Sequence, residues 1–171
     1  MQVTNNKKKW FALYTKPKHE FKASLQLESK GIDFYLPVIT RLKQWSDRKK
    51  KITEPLLRGY IFIFADEKER NISLEQFSVV RCIFDNGRPA VIPEWQIDNL
   101  KRFLSKDEDI IVHSGIVPGA NIKILDGPFA GVIGVINNEV KGKTIAVNID
   151  LLNRSVLAQL SKDTGFEVIK N

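Results

Sequence analysis

The sequence predicts an α+β protein in two parts: an antiparallel sheet with helices, then a small SH3-like barrel. Three observations carry this. Residues 1–104 alternate short β-prone runs with two stretches of helical spacing, 17–30 and 93–105. Residues 119–171 contain only short β-branched runs separated by Gly-containing turns, with Gly131 and Gly134 interrupting one run as a tightly curled sheet requires. Between them, SKDEDIIVHSGIVP (105–118) is acidic at Asp107, Glu108 and Asp109, lacks an apolar stripe and reads as a linker.

In chain order, WFALYTK (10–16) is a first strand. Pro17 suits the first position of a helix ending at Gly31, a good left-handed cap. On that helix Phe21 and Leu25 share one face, and Ala23 and Leu27 a neighbouring one. DFYLPVITRLKQW (33–45), SDRKKK (46–51) and ITEPLL (52–57) form a hairpin: two β-prone arms around a polar tip at Ser46 and Asp47. In PLLRGYIFIF (55–64), Gly59 breaks the run and Tyr60–Phe64 form a strand. Alternation puts Tyr60, Phe62 and Phe64 on one face and Ile61 and Ile63 on the other. The isoleucine face is a core face; the aromatic face is either a docking surface or covered by a helix. A connector with a short helix near Leu74, a strand over 79–84, an Asn86-Gly87 turn and a short strand over 89–92 precede the second helix.

Composition narrows the function classes. Hydrophobic residues make up 43% and charged residues 27%, as in a globular protein. No apolar run approaches the ~20 residues of a membrane span, and MQVTNNKKKW lacks the apolar stretch of a secretory signal. Cys82 is the single cysteine, so no internal disulfide or multi-cysteine zinc site exists and a reducing cytoplasm is expected. Residues 1–104 hold 20 Lys+Arg against 12 Asp+Glu, net +8, whereas residues 105–171 are net −1. A basic front half suggests that this part meets a polyanion.

Two clusters concentrate the positive charge. Lys16, Lys18, His19 and Lys22 surround the start of the first helix, where cations oppose the helix dipole. Arg41, Lys43, Arg48, Lys49, Lys50 and Lys51 crowd the hairpin around Trp45. Phosphates would relieve that repulsion and the indole offers a stacking surface, while the plain alternative is a solvated loop. No phosphate-binding Gly loop, GxSxG or HExxH occurs, and His19 and His113 have no histidine nearby. Cys82 lies in an apolar strand, the setting of an inert thiol. No catalytic residue, metal site or cofactor is expected, and the chain is not expected to be an enzyme.

WFALYTKPKHE followed by PLLRGYIFI resembles the N-terminal (NGN) domain of NusG-type transcription factors, and NIKILDGPFAGVIGVI (121–136), with Gly127, Phe129 and Gly134, resembles the KOW motif of their C-terminal barrel. The resemblance spans residues 9–169. QWSDRKK, GRPAVIP and the short connector look most like the UpxY-type specialised antiterminators of polysaccharide operons. It implies an NGN domain over 1–104, a linker over 105–118 and a KOW domain over 119–171. It implies a monomeric elongation and antitermination factor that grips the clamp coiled coil of RNA polymerase through Leu57, Tyr60, Phe62 and Phe84. By the same resemblance, Lys16, Lys18, His19 and Lys22 would meet non-template DNA and Arg48–Lys51 upstream DNA. Leu152, Asn153 and Arg154 stand where the family's barrel meets a second protein, in place of an aromatic-Gly-Arg pattern, and Arg58 stands where proline is common. The alternative is an RNA- or ribosome-binding KOW protein, which would be expected to carry its basic residues in the barrel.

Overall fold

The computed structural model describes residues 7–105, 109–137 and 143–170. Asp107, Glu108 and the turn expected at Lys141-Gly142 lie outside the described residues. The chain divides into two compact units, Met1–Glu94 and Trp95–Asn171.

The first unit contains β1 (Lys9–Thr15), α1 (Glu20–Ser29), β2 (Asp33–Tyr35), β3 (Val38–Gln44), β4 (Lys49–Pro55), β5 (Tyr60–Ala65), α2 (Glu67–Leu74), β6 (Val79–Cys82), β7 (Phe84–Asp85), β8 (Arg88–Pro89) and β9 (Val91–Ile92). Its main sheet is antiparallel in the order β2-β5-β1-β6, with β9 also on β1. The helices cover one face. Phe11, Leu13, Ile61, Ile63, Ala65, Val79 and Cys82 from the sheet pack with Ala23 and Leu27 of α1 and with Ile72 and Leu74 of α2. The isoleucine face is therefore the core face, as alternation predicts. Burial pushes the Cys82 thiol up, away from the reactive thiolate.

Pro17 does not open α1. The His19 N–H donates to the Lys16 carbonyl (3.1 Å) and Lys18 has φ 61°, which gives a tight turn with proline second and a left-handed residue third. The helix begins only at Glu20, whose buried carboxylate accepts from the Gly59 N–H (2.7 Å). Gly59 itself has φ 85°, and a Cβ there would lie 3.1 Å from the Tyr14 ring, so both backbone angle and space require glycine. Ala23 and Leu27 are buried while Phe21 and Leu25 face solvent. α2 starts with a full capping box: Asp66 accepts from the Glu69 N–H (2.8 Å) and Glu69 accepts from the Asp66 N–H (3.0 Å). Asn86 and Gly87, both at positive φ, form the two-residue turn between β7 and β8.

In the second unit, α3 (Glu94–Leu104, entering it from Trp95) is followed by β10 (Ile110–Ser114), β11 (Asn121–Ile124), β12 (Ile133–Asn137), β13 (Thr144–Ile149), β14 (Arg154–Gln159) and β15 (Phe166–Val168). These strands form one antiparallel sheet, β10-β14-β13-β12-β11-β15. No pairing joins β10 to β15 among the described residues; the strands expected to form a small SH3-like barrel make one six-stranded antiparallel order. Gly134 lets β12 approach β13: a Cβ there would meet the Ala146 carbonyl at 2.6 Å.

The stretch read as a linker contributes structure. Ile110–Ser114 pairs with β14 along its whole length. Beyond it, Ser155 Oγ donates to the Gly115 carbonyl (2.8 Å) and accepts from the Val117 N–H (3.1 Å), while Asn148 Nδ2 donates to the Val117 carbonyl (3.0 Å). α3 is fastened to the same sheet. Buried Asn99 donates to the Ile133 carbonyl (2.7 Å) and accepts from the Ile133 N–H (2.8 Å), and Phe103 packs on Phe129 with ring centres 5.0 Å apart. An amide side chain here completes a backbone pair as a neighbouring strand would.

Asn99→Leu leaves both Ile133 groups unpartnered and is expected to cost about 3 kcal/mol in denaturant unfolding of the full chain. A loss below about 0.5 kcal/mol would mean the pair contributes nothing beyond water exchange.

Candidate nucleic-acid and polymerase interfaces

The sheet face turned away from α1 and α2 is built by the register of its strands. Trp10 lies opposite Phe64, Ala12 opposite Phe62 and Tyr14 opposite Tyr60, while Tyr35 lies opposite Phe62 on the other side of β5. Alternation puts all of these on one face. Their rings meet in cross-strand pairs: Trp10 and Phe64 at 5.3 Å, Tyr14 and Tyr60 edge-on at 5.5 Å, Tyr35 stacked on Phe62 at 6.3 Å. Arg81 stands 5.7 Å from the Tyr14 ring centre. This aromatic set is larger than Tyr60, Phe62 and Phe64 alone, because β1 and β2 add three rings to it.

The four residues expected to dock a partner are not equally accessible. Phe62 is only 1% exposed and Leu57 is buried, Tyr60 is half-buried, and Phe84 is 54% exposed. Phe62 occupies the middle of β5 between Ala12 and Tyr35, whose ring stacks on it, so it serves packing. Phe84 lies on β7, in a separate two-stranded sheet.

Burial pushes the Tyr35 phenol up to about 12. Lys8 is also raised, by its bonds to Glu69 (2.9 Å) and Asp33 (3.2 Å).

At the start of α1, Lys18 and Lys22 are exposed and Lys16 and His19 half-buried. The structure adds a residue that sequence reasoning missed. Phe77, 69% exposed, carries the Lys16 ammonium 3.4 Å from its ring centre and the His19 ring at 6.0 Å. A lone aromatic between Gln76 and Ser78, just ahead of an apolar strand, was its one signal. Thr15 Oγ1, His19 Nδ1 and Ser78 Oγ, close together here through the Lys16 N–H bond to the Ser78 carbonyl (2.9 Å), are buried without a hydrogen-bond partner.

The β3–β4 hairpin holds Arg48, Lys49, Lys50 and Lys51 on its tip and outer strand, all exposed. In the second unit, Leu152 is buried, Asn153 is left-handed at φ 49°, and the Arg154 guanidinium donates to the Leu152 and Asn153 carbonyls (3.3 and 3.0 Å). Of that trio the exposed surface is mainly Asn153. Among the described residues no group of three or more His, Cys, Asp or Glu is placed to hold a metal ion, and no helix is long and apolar enough to cross a membrane.

The family model described as transcription termination factor nusG matches residues 8–101. The solved structure titled "Domain interaction in Thermotoga maritima NusG" is 23% identical, covers 96% of this chain and 98% of that one, and superposes with a TM-score of 0.50. Two conformations of the MjSpt4:Spt5 complex match at 14% and 16% identity with TM-scores of 0.34, covering 94–95% of this chain and 97% of each of those.

Burial of Tyr35 has a testable consequence. Its folded state holds the phenolic proton more tightly than the unfolded chain, whose value is about 10, so this contribution is complete below pH 10 and lost as pH rises towards 12. Thermal melts of the wild type should fall across that window. Tyr35→Phe should fall less steeply, the remaining slope coming from Lys8 and Cys82, which are also raised and also lose stability as pH rises. Equal slopes would show that the phenol is not held neutral.

Proposed function

The chain belongs to the NusG family, and we propose that it is a non-catalytic transcription elongation and antitermination factor that binds RNA polymerase and the DNA beside it. The observation that carries this reading is the aromatic sheet face. A small sheet needs one apolar face for its helices, and here the second face holds six aromatic residues of which Tyr14, Tyr35, Tyr60 and Phe64 keep part of their surface accessible. Half-buried tyrosines on a rigid sheet are what a helical partner docks against, since they supply area at small entropic cost. Tyr60 and Phe84 are the accessible anchors of the proposed polymerase contact; Leu57 and Phe62 would support them from beneath. The partner we assign is the clamp coiled coil of the polymerase.

The helix-start cluster supports contact with an exposed DNA strand. Lys16, Lys18 and Lys22 supply charge for phosphates, and exposed Phe77 supplies a face for stacking. The hairpin would meet upstream DNA. QWSDRKK at the tip and GRPAVIP favour the UpxY-type branch, acting on polysaccharide-type operons in the cytoplasm, with Asn153 the accessible part of a second protein contact. Residues 105–171, net −1, weigh against an RNA- or ribosome-binding protein.

With purified polymerase, the full-length chain is expected to shorten pauses. Tyr60→Ala should weaken polymerase binding by about 2 kcal/mol, some thirtyfold, with most of the folding stability retained. Unchanged binding by a folded Tyr60→Ala protein would remove this face from the polymerase contact.

A further inference from the structure

The β3–β4 hairpin is a ribbon with both faces in water. All residues from 40 to 51 are exposed, and the two strands pair with each other in a sheet of their own. Seven residues per strand make it about 24 Å long. An isolated two-stranded ribbon is marginally stable by itself, which points to a partner that holds it.

Its cations are divided between the faces. Lys43 lies opposite Lys50 and Arg41 opposite Ile52, so these three cations share one face with Glu54. Lys49 lies opposite Gln44 and Lys51 opposite Leu42, so these two share the other face, with Thr40 and Thr53. Glu54 draws Arg41 and Lys43 on the first face, at 4.0 and 3.5 Å. Among the cross-strand partners of the second face there is no acid. Two ammonium groups directly opposite, Lys43 and Lys50, repel each other. Trp45 closes the strand at the tip, 52% exposed, with the Lys50 ammonium 5.6 Å from its ring centre.

A ribbon laid flat on a single phosphate row needs positive charge on one face. Charge on both faces, with an exposed aromatic leading, fits a slot walled by phosphates on two sides. We infer that this ribbon enters the major groove of duplex DNA, with Lys43 and Lys50 on one wall, Lys49 and Lys51 on the other, and Trp45 foremost. The B-form major groove, about 12 Å wide, admits a two-stranded ribbon; the deep, narrow major groove of A-form RNA does not. The inference rests on the proposal that the hairpin meets DNA, and goes on to name duplex form, groove and wall contacts.

The test uses the full-length chain and a mixed-sequence 20-base-pair DNA duplex, the matching single strand and the matching RNA duplex, over a range of salt. Duplex DNA should bind most tightly. Lys43→Ser/Lys50→Ser and Lys49→Ser/Lys51→Ser should each weaken duplex binding about tenfold and each flatten the plot of log affinity against log salt by about 1.8, two contacts at about 0.9 apiece. Lys49→Arg/Lys51→Arg should keep wild-type binding. Trp45→Ala should weaken binding without changing the salt slope, because the indole carries no charge. If only one lysine pair matters, the ribbon lies on a surface and groove entry is wrong, though DNA contact stands. Equal affinity for RNA duplex likewise overturns groove entry, as does single-strand binding that the hairpin lysine variants weaken as much as duplex binding. If no form of DNA binds, the DNA role of the hairpin falls with it, whatever the polymerase assay reports.

Discussion

Everything in the first unit depends on the register between β1 and β5. Six consecutive pairs, from Lys9 with Ala65 to Tyr14 with Tyr60, sort the two strands so that Phe11, Leu13, Ile61 and Ile63 go to the helix side and Trp10, Tyr14, Tyr60, Phe62 and Phe64 to the other. A slip by one residue would turn Ile61 and Ile63 away from α1 and α2 and bring Phe62 beneath them. The bond from the Gly59 N–H to buried Glu20 fixes where β5 begins, and that bond is available only because α1 starts at Glu20. Turn, helix start and strand register therefore form one constraint, and both the core and the aromatic face follow from it.

Much of this was legible in the chain because the signals were local. Alternation in Tyr60–Phe64 separates the two faces, Asn86-Gly87 marks its turn, and the polar stretch between two β-prone arms marks the hairpin. What escaped depended on distant partners. Pro17 is equally compatible with a helix start and with a tight turn; the choice falls to the turn because Glu20 must reach Gly59. Ile110-Ile111-Val112 is a short β-branched run inside a stretch read as a linker, and its pairing with β14 makes it a strand. Phe62 reads as a free ring until Tyr35, 27 positions earlier in the chain, is placed on it. The lysines at the start of α1 were visible as charge, whereas Phe77 beside them came from a segment that carried no motif.

The cationic regions differ in how they are held. At the α1 start the groups are anchored by a turn and a buried strand end, with an aromatic ring already carrying the Lys16 ammonium. Preorganisation of that kind favours discrimination among ligands, since little ordering remains to be paid for on binding. Residues 40–51 of the hairpin are all exposed, and its charges gain most from an acidic partner that orders them. One region is thus suited to selecting a site, the other to adding affinity that falls with salt.

The fastening of α3 by Asn99 bears on how the protein can be dissected. The nusG family model ends at residue 101, inside this helix, and the acidic stretch that follows invites a cut at 105 or 118. Excision at either point would strip the Ile133 backbone of its side-chain partner, and a piece beginning at 119 would also bare the edge of β14 that Ile110–Ser114 protects. An uncovered strand edge is a template for self-association. A soluble, single-copy C-terminal piece is therefore one that keeps the chain from Trp95 onward, and shorter ones would report on aggregation in place of the native module.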